Sequence, residues 1–213
     1  MEIDSSNSHP TSLLEKIVVP GDVVLDLSKL TNQTIKLGAG LRQYAPCVED
    51  AILGIVVDSK PDNFLIDIKG PSLAFLPVLA FEGGTRRNIP KFEVGSLLYV
   101  RVVKANSGMN AELSCTDASG KAAEFGPLKG GYMFETSTGL SRMLLSSPTC
   151  PVLEALGKKL SFETAVGLNG RVWVNASSPS TVILVSNAIK SSEFLSGVQQ
   201  RIMVEKLLQR VEQ

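Results

Sequence analysis

The sequence predicts a multi-domain protein of the β plus α+β class, with an N-terminal β domain, a five-stranded barrel and a C-terminal α/β domain. The 213 residues, 44% apolar and 20% charged, are enough to bury the cores of two or three small domains. Short strand-like runs fill the chain to about residue 117, and helical signals follow from about residue 120. We therefore predict a disordered tail at 1–12, a β domain at 13–48, a barrel at 49–119 and an α/β domain at 120–213.

The predicted N-terminal β domain begins with a strand–turn–strand unit at Ile17–Leu27. Pro20-Gly21-Asp22 separates two β-branched runs there, and Gly38–Leu41 closes a second hairpin-like segment. A region this short has too little core to be robust alone, so we expect it to pack on the barrel or on a neighbouring subunit.

Five strand-like runs between residues 51 and 117 predict the barrel. Phe64, Ile66 and Ile68 alternate with more polar residues, which indicates one buried face. Five short strands with a longer connection after the third are typical of an OB-type barrel, although the periodicity also allows other small barrels. The runs are Ala51–Asp58, Phe64–Lys69, Leu73–Phe81, Ser96–Ala105 and Ala111–Thr116.

The C-terminal region mixes helices with short strands. A helix is predicted at Pro151–Gly157, because proline suits the first helical position and glycine the end. Strands are predicted at Ser161–Val166 and Arg171–Ala176. The segment Gly197–Gln213 has the apolar spacing of an amphipathic helix.

Charge and cysteine content restrict the cellular setting. With 21 basic and 21 acidic residues the net charge is zero, so any RNA ligand must meet a local basic surface or be shared with partner proteins. Cys47, Cys115 and Cys150 form no CxxC pair and are interpreted as buried thiols in a reducing compartment. No apolar run has the length of a membrane span, and the N-terminus does not resemble a secretory signal, which favours the cytosol or nucleus.

Catalytic signatures are missing from the sequence. His9 is the only histidine, which excludes Ser-His-Asp and Cys-His mechanisms and most zinc sites, and no phosphate-binding glycine motif occurs. Asp58, Asp62 and Asp67 are the nearest approach to a carboxylate cluster in the barrel, but nothing in the pattern makes them converge. We therefore predict no enzyme activity, no metal and no cofactor.

The segment between the third and fourth predicted strands is the best candidate for binding. Gly83 and Gly84 free the backbone, and Arg86 and Arg87, with Lys91, would line one rim of the barrel, where OB folds take single strands. Contact of the two arginines with a partner protein is equally compatible with the pattern. Three aromatic residues are considered as stacking surfaces: Phe64, which alternation places in the core, Phe81, and Tyr99, whose position is left open.

A GxxG sequence lies between the two C-terminal strands, at Gly167-Leu168-Asn169-Gly170. It resembles the loop with which KH modules clamp RNA, but it has no basic residue and connects strands rather than helices. We favour a structural role against another domain, with Arg171 as a possible phosphate contact. Trp173 alternates with two valines, which suits a packed anchor.

Four segments in order, VVPGDVVLDLS, KLGAGLRQ, FEGGTRRN and GLNGRVWV, resemble the RNA exosome cap subunits of the ribosomal RNA-processing protein 40 (exosome component 3) family. The resemblance runs from about Val18 to the C-terminus. It implies an N-terminal β domain, an S1-type OB domain and an atypical KH domain. It also places the G-x-N-G segment, Gly167 to Gly170, between domains rather than on RNA.

The same resemblance implies a setting. Such cap subunits bind a ring of RNase-PH-like subunits beside other cap subunits, contact single-stranded RNA, and leave catalysis to an associated hydrolytic ribonuclease. The implied location is the nucleus and nucleolus, and also the cytoplasm. Two alternatives remain open: a free-standing OB/KH regulator of translation or mRNA stability, and a metal-dependent enzyme built on Asp58, Asp62 and Asp67.

Overall fold

The computed structural model describes residues 44–106, 108–146 and 150–211, and of residues 210 and 211 it describes only the backbone. The predicted tail and almost all of the predicted N-terminal β domain lie outside these residues. The strands of the described part are β1 (Ala51–Ser59), β2 (Asn63–Asp67), β3 (Ala74–Pro77), β4 (Leu97–Lys104), β5 (Glu112–Ser114), β6 (Gly126–Leu128), β7 (Tyr132–Glu135), β8 (Glu163–Gly167) and β9 (Arg171–Asn175). The helices are α1 (Thr138–Leu145), α2 (Pro151–Gly157), α3 (Pro179–Ser191) and α4 (Gly197–Val211).

Strands β1 to β5 form a closed barrel in the order β1-β2-β3-β5-β4, because β4 pairs back onto β1. All of these pairings are antiparallel except a short parallel contact between β3 and β5 at Phe75 and Glu112. β6 pairs with the start of β4, along the edge that faces away from β1. This strand order is the five-stranded OB type that the sequence predicts.

Alternating side chains fill the barrel, as the sequence predicts. Phe64, Ile66 and Ile68 are buried, while the residues between them are partly exposed. The third strand is shorter than the predicted Leu73–Phe81. Pro77 ends it, since the Ala80 N–H donates to the Pro77 carbonyl in a tight turn.

The C-terminal half is a three-stranded antiparallel sheet, in the order β7-β9-β8, with helices packed against it. The predicted helix Pro151–Gly157 is confirmed, and the predicted C-terminal helix is observed as α4, whose Val204 and Leu208 are buried. Within the described residues, no helix has both the length and the apolar character needed to cross a membrane.

Helices α1 and α3 are not predicted by the sequence analysis. Ser137 caps α1 by accepting a hydrogen bond from the Leu140 N–H at 3.0 Å. α3 begins at Pro179, which suits the first helical position but follows three consecutive polar or small residues that resemble a loop. Both starts are visible in the sequence only as single capping residues.

The cysteines are all free thiols, but they differ in exposure. Cys115 and Cys150 are buried as expected, and burial raises the pKa of Cys115 to about 12. Cys47 is exposed, so the expectation of a buried thiol was wrong there. It lies in a turn before β1.

Candidate nucleic-acid interface

The loop between β3 and β4 presents its arginines at the tip of a turn. Thr85 and Asn88 form an isolated antiparallel bridge, and the Asn88 N–H donates to the Thr85 carbonyl at 2.9 Å. Arg86 and Arg87 are the two central residues of this turn, and both are exposed. A Cβ on Gly84 would lie 2.5 Å from the Leu79 carbonyl oxygen, so the close approach that forms the loop requires glycine there.

Two phenylalanines fix the base of this loop to the barrel. Phe92 packs edge-on against the core residue Phe64 at a centroid distance of 5.1 Å, and Phe81 lies 5.5 Å from Phe92. Lys91 is exposed beside them. Across the described ranges, no hydrogen bond or ion pair engages Lys91 or the two loop arginines. Three cations are therefore held on a fixed base with their charge available to a ligand.

A second surface on the barrel was missed by the sequence analysis. A groove of about 360 Å³ lies where the β1–β2 and β4–β5 connections flank β2 and β3, the face on which OB folds bind oligonucleotides. Phe75 and Lys104 line it, together with Asn63, whose side-chain oxygen is buried without a hydrogen-bond partner. Lys104 also pairs with Glu112 at 2.7 Å, so its charge is partly neutralised. The two connections, 60–62 and 105–111, are visible in the sequence as turns, but only the closed barrel shows that they meet.

The aromatic residues considered for stacking are not available on the surface. Phe64 is in the core, and Phe81 is partly buried against it. Tyr99 is buried between the barrel and the C-terminal domain, and its hydroxyl donates to the Val166 carbonyl at 3.3 Å. Burial, with a smaller contribution from the charge of Glu124, raises the pKa of Tyr99 to about 12.

The G-x-N-G segment completes the free edge of β1. Pairing between β1 and β2 starts only at Ile55, so the earlier residues of β1 lack a partner on that side. The Leu168 N–H donates to the Ala51 carbonyl at 2.9 Å, and the Leu53 N–H donates to Asn169 Oδ1 at 3.3 Å. Asn169 Nδ2 in turn donates to the carbonyls of Leu53, at 2.7 Å, and Ile68, at 3.0 Å. The asparagine side chain thus substitutes for a missing strand.

Glycines allow this close approach. A Cβ on Gly167 would lie 2.4 Å from Asn169 Oδ1 and 2.7 Å from the Leu53 nitrogen. Gly170 has a positive φ of 79°, and a Cβ there would lie 2.6 Å from the Thr136 carbonyl oxygen. With Asn169 fully buried, the segment has no free face for RNA.

Arg171 has a different role from the predicted phosphate contact. Its side chain is only 4% exposed, and Nη2 donates to Asp67 Oδ2 at 2.6 Å while Nη1 donates to the Asp67 carbonyl at 2.7 Å. The prediction that Arg171 binds RNA is therefore corrected, since its guanidinium joins the C-terminal domain to β2. Burial alone would raise the pKa of Asp67, but hydrogen bonds from Arg171 and the Lys69 N–H outweigh it and lower that pKa.

Trp173 anchors the same interface. It is buried against Leu53 and Tyr99, and its indole Nε1 donates to the Gly130 carbonyl at 2.9 Å. The interface therefore combines an apolar cluster with the hydrogen bonds that Asn169 and Arg171 make to the barrel.

The carboxylates considered for metal binding do not form a site. Asp67 is held by Arg171, and Asp58 accepts from the N–H of Ser59. Among the residues that the structure describes, no three His, Cys, Asp or Glu side chains lie close enough together to hold a metal ion.

The chain is a two-module protein of the S1–KH class. Its S1-type barrel contacts its KH-type domain through the buried G-x-N-G segment. Family models match both modules: "Exosome complex component RRP40, S1 domain" over residues 44–126 and "KH domain" over residues 131–180. The chain belongs to the exosome complex component RRP40 family.

Individual relatives support that assignment. The Schizosaccharomyces pombe exosome complex component rrp40 is 40% identical over 80% of this chain and 71% of its own length. A Dictyostelium discoideum protein, provisionally named exosome complex component rrp40, is 36% identical over 92% of this chain and 94% of its own. One crystal structure, of a protein provisionally described as an exosome complex RNA-binding protein, matches with a TM-score of 0.65 at 19% identity, covering 80% of this chain and 99% of that one. At that identity the likeness concerns the fold alone.

Proposed function

We propose that this chain is a non-catalytic, RNA-binding cap and scaffold subunit of the RNA exosome. In this role it stabilises the ring and guides single-stranded RNA toward an associated 3′–5′ exoribonuclease, in the nucleus, nucleolus and cytoplasm. The observation that carries the proposal is the buried G-x-N-G segment. A KH loop that clamps RNA must be exposed, whereas here Asn169 is fully buried against β1.

RNA contact is assigned to the barrel. Arg86, Arg87 and Lys91 provide a local positive surface, which a chain of zero net charge needs in order to approach phosphates. The groove beside Phe75 provides a second kind of contact, because an aromatic ring there can stack on a base and amide groups can hydrogen-bond to it. Neighbouring subunits would supply the remaining phosphate contacts.

The scaffold role is supported by an apolar strip at the start of α4. Val198 and Ile202 lie four residues apart on α4 and are 69% and 46% exposed, and Phe194, in the turn before the helix, is 92% exposed. Exposed apolar surface of this kind is typical of protein interfaces. We assign this strip to a neighbouring subunit, either an RNase-PH-like ring subunit or another cap subunit.

Catalysis is assigned to the associated hydrolytic ribonuclease. The three barrel carboxylates considered for metal binding do not act as one group, because Asp67 forms an ion pair with Arg171. Replacement of Asp58 and Asp62 by Asn, which leaves the Asp67–Arg171 pair intact, should leave RNA cleavage by the assembled complex unchanged. A loss of cleavage with normal assembly would overturn this part of the proposal.

The RNA role is tested by reversing the loop charges. The double variant Arg86→Glu, Arg87→Glu should reduce RNA cross-linking to this subunit in the assembled complex, while its melting temperature stays within about 2 °C of the parent because exposed substitutions change stability little. Arg142→Glu combined with Lys158→Glu is the matched control, since it makes the same charge change on exposed residues of the KH domain. Equal cross-linking of both double variants and the parent would refute the assignment.

A further inference from the structure

A groove along α3 is not used by the proposed function. It has a volume of about 520 Å³ and lies between the start of β7, the end of β9 and one face of α3. Its helical residues run from Pro179 to Lys190 at three- and four-residue spacing. Eleven residues of rise at 1.5 Å each make the groove about 16 Å long. This suits an extended chain rather than a single compact small molecule.

An exposed aromatic ring forms one wall. Tyr132 is 49% exposed and lines the groove, with its ring stacked at 5.9 Å from Phe134. The Lys190 ammonium lies over this pair, 4.9 Å from the Phe134 centroid and 5.9 Å from that of Tyr132. A ring supported from behind and flanked by a cation is a suitable platform for stacking a base.

The polar groups of the groove have unused hydrogen-bonding capacity. Within the described ranges, the side chains of Asn175, Ser177 and Asn187 make no hydrogen bond, and Lys190 has no ion pair. The groove contains one cation and no carboxylate. Amide groups donate and accept at once, as base edges require, and an uncompensated lysine attracts an anionic group such as a phosphate.

We propose that this groove binds a nucleotide of single-stranded RNA. Its base would stack on Tyr132, the amides of Asn175 and Asn187 would contact base edges, and Lys190 would meet a phosphate. The inference rests on the proposed RNA-binding function and extends it, since it adds a contact on the KH domain that is separate from the G-x-N-G segment and from the barrel loop. A peptide from a partner protein is the competing occupant. The lack of carboxylates in the groove and the presence of two free amide side chains, Asn175 and Asn187, favour RNA.

Photo-cross-linking of the assembled complex tests this inference. The probe is a single-stranded oligouridylate that carries 4-thiouridine, and adducts are mapped by mass spectrometry. We expect an adduct on the peptide that contains Tyr132. Tyr132→Ala should lower its yield at least about fivefold, because loss of one stacked base corresponds to roughly 5- to 150-fold in affinity. Lys190→Glu should lower it as well, because it replaces the one cation of the groove with a charge that repels phosphate.

One control and one further variant make the outcomes decisive. Lys158→Glu reverses an exposed charge outside the groove and should leave the Tyr132 adduct unchanged. Asn187→Asp changes only an exposed side chain and should also lower the yield, so a folding defect in Tyr132→Ala would not stand alone.

The failures are distinguishable. Adducts at the Arg86 and Arg87 loop with none near Tyr132 would overturn the groove assignment in favour of a partner peptide and leave the proposed function intact. No RNA adduct anywhere on this chain would overturn both.

Discussion

The interdomain interface should depend on the Asn169 side chain more than on any exposed polar residue. Replacing Asn169 with alanine removes the groups that bond the Leu53 N–H and the carbonyls of Leu53 and Ile68. The Leu53 carbonyl keeps a long contact of 3.4 Å with Arg171, whereas the other two groups lose the partner described for them. These groups lie inside the protein, where water is not available to replace the amide.

The size of the effect follows from those two groups. A buried donor or acceptor left without a partner costs about 1–3 kcal/mol, so Asn169→Ala should lower the free energy of unfolding by about 2–6 kcal/mol. For a chain of this length, 1 kcal/mol corresponds to about 2–4 °C in melting temperature. We therefore expect a decrease of about 6–12 °C for a loss near 3 kcal/mol.

Thermal unfolding followed by circular dichroism measures this decrease. Asn187→Ala is the matched control, because it removes the same amide from an exposed helical position where alanine is favourable. Its melting temperature should be unchanged or slightly higher. If Asn169→Ala melted within 2 °C of the parent, the asparagine would not be a substitute for a missing strand and the interface account would be refuted.

Three further results are expected. Because the pKa of Asp67 is lowered in the folded state, its stabilising contribution is complete above the ordinary pKa of 3.8 and is lost as the pH falls through the lowered pKa. Asp67→Asn should therefore flatten the loss of stability below about pH 4. An unchanged acid-unfolding curve would contradict the ion pair. Trp173→Ala should cost about 3–5 kcal/mol in denaturant unfolding, with Trp173→Phe losing less, and equal losses would show that ring packing is not the main term. A thiol reagent at pH 8 should modify exposed Cys47 quickly and buried Cys115 only after denaturation, as counted by intact mass; rapid modification of both would contradict the described burial.

The barrel was predictable because its strands and turns are determined by residues close together in the sequence. Alternation along the second run places Phe64 and Ile66 inside, and turn residues mark the strand ends, so five strands follow from the sequence. The short third strand was overpredicted because an apolar run continues past the turn at Pro77. Apolar character alone does not show where a strand ends.

The interface chemistry was not predictable in the same way. The buried partners of Arg171 and Asn169 come from β1 and β2, which lie about 100 residues earlier in the chain. An exposed arginine and a buried one look alike in sequence, so Arg171 beside a glycine pair resembled a phosphate contact. The α3 groove was missed because it is formed by three elements, and α3 itself has only a single capping signal.

We propose a stoichiometric scaffold subunit of the exosome rather than a free RNA-binding regulator. Affinity purification of the tagged chain from cell extract, without and then with RNase, tests it most directly, with partners identified by mass spectrometry. We expect stoichiometric recovery of RNase-PH-like ring proteins that survives RNase and is reduced by substituting the exposed Phe194 and Val198 with polar residues. Recovery only of assorted RNA-binding proteins, all lost on RNase treatment, would contradict it.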